Sequence, residues 1–168
     1  MKTIFIRLLL LFALLPQLIR AQSWAMERFF EQHAKEQGVC SVSFERKMMQ
    51  MMSEQARRQG DQKQAELLSD IRFIRILTVK EGDGEALAAA AEKAVNRNGA
   101  FERISSSSNE GQILQFYLNE GYQETEERKS IKMKELVMIS HGPRETVVVH
   151  LFGKFNLLDI SGITSFRP

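Results

Sequence analysis

Cysteine is nearly missing from this 168-residue chain: Cys40 stands alone, so no disulfide can close within it even in an oxidising compartment. At position 40 it also lies too far along to carry the lipid of a mature lipoprotein, so no lipid anchor is expected. Three prolines leave no proline-rich linker, and no Asn-x-Ser/Thr glycan acceptor occurs. The three histidines, His33, His141 and His150, share no metal-ligand spacing. Gly82 and Gly84 lack the further glycines and the lysine of a phosphate loop, and Ser105 to Ser108 sit in no G-x-S-x-G elbow. No catalytic, metal-binding or cofactor-binding residue set is therefore assigned. An excess of one charge is also absent. With 23 Lys and Arg against 21 Asp and Glu, nucleic acid is a poor expectation.

What is present begins with a leader. Lys2 and Arg7 precede the apolar run Leu8 to Leu15, Pro16 breaks it, and Ala21 follows as a small residue. These are the three regions of a secretory signal, and the run is too short for the roughly 20 residues of a spanning helix. The reading is a signal peptide over 1–21 and one α+β domain over 22–168, exported to the periplasm, outer envelope or exterior after cleavage near Ala21. No transmembrane anchor is expected in the mature chain. Lys2, Arg7 and Arg20 belong to the leader and no acid does, so 20 bases face 21 acids in the remainder.

Periodicity then sets the elements. Met26, Phe29, Phe30 and His33 make one face of a helix over 24–36, ended by Gly38. Cys40, Val42 and Phe44 alternate as a short strand, with Cys40 read as a small buried hydrophobe. A helix over 45–58 carries Met48, Met49, Met51 and Met52, read mainly as core packing. The β-branched run 71–79 is a strand. Asp83 is placed to cap an alanine-rich helix over 85–97. Strand-like runs follow at 101–105, 112–118, 131–140 and 146–152, with the serines read as a turn and His141-Gly142-Pro143-Arg144 as a hairpin loop. A helix over 157–163, with Asn156 as its cap and Asp159 in its first turn, closes the chain. The expected fold class is α+β: a single mixed, largely antiparallel sheet (a βαβαβ start, then a β-meander) with helices mainly on one face.

Met26-Glu27-Arg28-Phe29-Phe30, the run Ile71 to Leu77, and Lys134 to Ile139 leading through a hairpin to Val147–Leu151 and Gly153 to Ile160 carry a resemblance. In order and local pattern the chain resembles the bacterial secreted family catalogued as domain of unknown function 4252. The resemblance implies export in bacteria with a Gram-negative envelope, and gives no catalytic residues to carry over.

The late strands are apolar on both alternating faces. Leu114, Phe116 and Leu118 oppose Ile113 and Tyr117, while Val147, Val149 and Leu151 oppose Val148 and Phe152. A one-layer sheet with one wet face alternates cleanly. The face of Ile113, Tyr117, Val148 and Phe152 is thus covered by a helix of the chain, 24–36 for instance, or binds an envelope protein or apolar ligand. The leading expectation is an exported, non-catalytic binding or interaction module. Two alternatives stand beside it: a hydrolase-type enzyme assembled from distant residues such as His150, Glu135 and Ser140, and copper handling by the methionine helix.

Overall fold

The computed structural model describes residues 21–80, 82–97, 99–124 and 131–155. Residues 1–20 of the expected signal segment, residues 125–130 and the closing segment with Asn156, Leu158 and Asp159 lie outside them. In chain order the elements are α1 (Ala21–His33), β1 (Val39–Phe44), α2 (Arg46–Arg58), α3 (Gln62–Asp70), β2 (Ile71–Lys80), α4 (Gly84–Asn96), β3 (Glu102–Asn109), β4 (Gln112–Glu124), β5 (Ile131–His141) and β6 (Glu145–Gly153).

The six strands form one sheet in the order β1-β2-β6-β5-β4-β3, and every neighbouring pair is antiparallel. The α+β, largely antiparallel reading holds, and the parallel component of the expected start is absent. β1 and β2, joined through α2 and α3, pair antiparallel and not parallel. β2 and β3 do run the same way across α4, yet β6, β5 and β4 lie between them. The sheet is completed by pairing β2 with β6, a contact far apart in sequence.

The helices divide between the two faces instead of sharing one. On the first face α1 packs on α4, and α4 on β5 and β6. Met26, Phe29, Phe30, Leu87, Ala91 and Val95 there meet Leu77, Tyr117, Val137 and Val148. On the second face Met49 of α2 meets Ile71, Leu118, Leu136, Leu151 and Phe155, with Leu67 and Leu68 of α3 beside them. Adjacent strand residues such as Leu136 and Val137 fall into different clusters because successive side chains point to opposite faces. Two apolar faces thus find two helical layers. α3 is capped by Asp61, whose carboxylate accepts from the Gln64 amide at 2.9 Å, and the Ser53 hydroxyl of α2 donates to the Ala65 carbonyl of α3 at 2.7 Å.

Two local expectations change, and a third position explains its glycine. Ser105 to Ser108 are strand, not turn: they pair with Phe116 to Ile113, and the reversal falls at Glu110-Gly111, both at positive φ as a two-residue hairpin turn needs. Asp83 precedes α4 but makes no side-chain cap bond. Gly153 is the last residue of β6, and its requirement is spatial: a Cβ there would lie 2.6 Å from the Asp70 carbonyl and 2.7 Å from Ile71 Cα.

Candidate functional site

Alternation along β5 and β6 places Glu135 and His150 on the first face. Glu135 lies opposite Phe152, and Val137 opposite His150. Asn119 of β4 stands across from Glu135, while Phe73 and Arg75 of β2 stand across from Phe152 and His150. α1 closes over this group, with the Phe30 ring centroid 5.7 Å from that of His150 and the Phe73 ring 5.1 Å from it. The result is a polar cluster inside an apolar shell: Glu135 is 0% exposed, His150 1% and Asn119 3%.

The Asn119 amide donates to Glu135 Oε2 at 3.4 Å, and His150 Nε2 lies 3.8 Å from Glu135 Oε1. Neither ring nitrogen of His150 has a hydrogen-bond partner among the described residues. Burial, and then the Arg75 guanidinium, push the imidazole pKa from 6.5 down to about 3. His150 is therefore neutral near neutral pH, and its approach to Glu135 is a polar contact, not an ion pair. Arg75 forms the rim. It lies 4.4 Å over the Phe73 ring, its Nε is 3.3 Å from Glu45 Oε1 and its Nη1 is 3.9 Å from Glu27 Oε1. One side chain thereby joins β2 to α1 and to the residue preceding α2.

The structure brings together two of the three residues considered for an enzyme. Ser140 lies five positions from Glu135 on the same strand, an odd separation, so it projects from the second face. There its hydroxyl accepts from the Gln112 amide at 2.9 Å. A nucleophile–base pair needs hydrogen-bond reach, and these two groups have the sheet between them.

Ile113, Tyr117, Val148 and Phe152 do share the first face, by register. Tyr117 and Val148 are buried in the core with residues of α1 and α4, Phe152 is partly buried with its ring 5.5 Å from Phe73, and Ile113 stays exposed at the sheet's end. Burial, and then Glu92, raise the Tyr117 pKa above its ordinary 10.0. Two clefts, of about 580 and 430 Å³, flank the loop between β5 and β6. Their lining includes Ser107, Asn109, Gln112, His141, Arg144 and Glu145, and neither contains His150 or Tyr117.

Other sequence candidates disperse. His33 is partly buried and bonds Glu36 at 2.8 Å, as a helix histidine on an apolar stripe does. His141 meets the Thr146 hydroxyl at 2.8 Å and is partly buried at the end of β5. Cys40 is exposed, not buried: β1 is an edge strand, and its middle four residues stay open. Of the methionine run only Met49 is core, and Met48, Met51 and Met52 are exposed. Sequence reading missed Asn119 and Arg75 as members of the cluster. The available signal was Glu135 itself, an acid in phase with Val137 and Ile139 on an otherwise core-facing edge of β5.

An antiparallel sheet with a helical layer on each face and a polar cluster sealed beneath one of them defines an α+β protein. Within that class the chain belongs to the family described as Domain of unknown function (DUF4252), which matches residues 30–163 and so takes in β1 through β6 with Glu135 and His150. No curated protein and no solved structure matches the chain. No described helix is long and apolar enough to cross a membrane.

Proposed function

We propose that this chain is an exported bacterial envelope protein acting as a non-catalytic interaction module whose partner is another envelope protein. One observation carries the non-catalytic part. His150 and Tyr117, two described groups whose pKa is displaced, are sealed under α1 and α4, while the two clefts beside the β5–β6 loop contain neither. Reaction centres are where displaced pKa values and a substrate-sized opening usually coincide. Export rests on the leader of Lys2, Arg7, the Leu8 to Leu15 run and Ala21.

Fractionation of a tagged chain tests export: periplasmic or outer-envelope recovery with a new N-terminus near Gln22 is the expected result, and intact cytosolic protein sinks it. Affinity capture from envelope extracts tests the module. A partner held equally by the native chain and by His150→Phe supports the reading. Hydrolysis of a substrate panel that disappears in His150→Phe, with the fold retained, would replace it by the enzyme.

A further inference from the structure

The two edges of the sheet are built differently. β3 carries Glu102 and Arg103, a register shift between Arg103 and Ser105, and four serines. Charge and irregularity of this kind are how proteins keep an edge strand from pairing with another chain. β1 has none of these guards. Val39-Cys40-Ser41-Val42-Ser43-Phe44 contains no charge and no proline, and it pairs with β2 without a register shift. Its middle four residues are exposed, and its outer edge meets no described strand.

Four of the exposed large apolar residues, Val42, Met48, Met51 and Met52, belong to β1 and to α2, which packs against it. Val42 is 41% exposed and lies on the second face, in phase with Phe44 and opposite Ile76. α2, which packs against β1 and β2 on that face, presents Met48 at 47% and Met52 at 40%, one helical turn apart. We infer that β1 is a self-association edge: two copies of this chain pair β1 to β1 antiparallel across a two-fold axis, continuing one sheet into the next.

A second copy is the occupant because this surface complements itself. An antiparallel pair of identical strands is related by a two-fold axis, which is the isologous arrangement of most homodimers. An uncharged strand sets no like charges opposite each other in any such register. Centring the pair on Val42 puts Val42 opposite its equivalent and Cys40 opposite Phe44, so the three second-face positions of the strand meet only apolar or thiol side chains. The same axis brings the two α2 helices to one side of the joined sheet, with Met48 and Met52 available between them. Six residues of strand alone fall short of the roughly 800 Å² per partner of a stable interface. In the proposed dimer the remainder must come from the two α2 helices, whose Met48 and Met52 are exposed.

Sedimentation of the exported protein over the micromolar range tests the inference. The expected result is a dimer that Val42→Lys, or Met48→Lys with Met52→Lys, converts to monomer, while Ile104→Lys on the guarded edge leaves it dimeric. Circular dichroism confirms that each variant is folded. Val42→Cys in a Cys40→Ser background should oxidise to a covalent dimer, since paired strand positions lie within disulfide reach. A monomer at every concentration overturns the proposal. So does a dimer indifferent to Val42→Lys, or one that fails to cross-link at position 42.

Discussion

A fully buried histidine with no hydrogen-bond partner among its described neighbours ties stability to pH, and the sign follows from the two states. In the fold, burial and Arg75 hold the His150 pKa at about 3; in the unfolded chain it returns to 6.5. Between those values the unfolded chain binds the extra proton, so stability rises with pH. The neutral ring's contribution is fully present above 6.5 and drains away as pH falls toward 3, by about 1.4 kcal/mol per unit. Thermal melts from pH 7 to pH 4 should therefore show a steeper loss for the native chain than for His150→Phe. Parallel profiles would remove His150 as the cause. Individual residues were unevenly legible in the sequence. Met26, Phe29 and Phe30 read as core because a helical stripe records burial directly. Cys40 and Met48 misled, since burial of a lone strand or helix flank depends on what the rest of the chain lays over it, and at this edge both stay exposed.

Among elements, two aspartates in similar sequence settings separate a cap that works from one that only resembles it. Asp61 accepts from the Gln64 amide at the start of α3, whereas the Asp83 side chain makes no cap bond to α4. Asp61→Ala should cost about 1 kcal/mol, and Asp83→Ala a few tenths at most, by urea titration; equal costs would contradict the geometry. Gly153 makes the opposite kind of demand. An added methyl would meet the Asp70 carbonyl and Ile71 Cα, both backbone, where the Lys154 amide also bonds Asp70 at 2.9 Å. Gly153→Ala should cost about 1–3 kcal/mol, the range for overpacking a close contact, and a melt within a degree of the native chain would show that β6 can shift away. The β5–β6 hairpin was readable because Gly142 and Pro143 punctuate it. β3 was not, because four serines carry turn-like propensity, and their strand state comes from pairing with β4 across Glu110-Gly111.

For the whole molecule, the sequence announced that both sheet faces are apolar but could not say which helix covers which. That assignment depends on β2 pairing with β6, a long-range contact that sequence order does not encode. Once made, it sends α1 and α4 to one face and α2 and α3 to the other, and the same placement explains why Glu135 and His150 met while Ser140 did not. The buried carboxyl–imidazole pair was thus half visible as residues and invisible as a site. Two clusters separated by one sheet make an energetic prediction. Phe30 anchors the first and Met49 the second, both nearly inaccessible. Phe30→Ala should cost about 3–5 kcal/mol and Met49→Ala about 2–5. Because the two side chains share no cluster, the double variant should lose the sum to within about 0.5 kcal/mol. Urea unfolding of the four proteins closes the cycle, provided each unfolds in one transition with a common slope. A coupling above about 1 kcal/mol would mean that a cavity on one face is felt through the sheet by the other, and the two layers would then have to be treated as a single core.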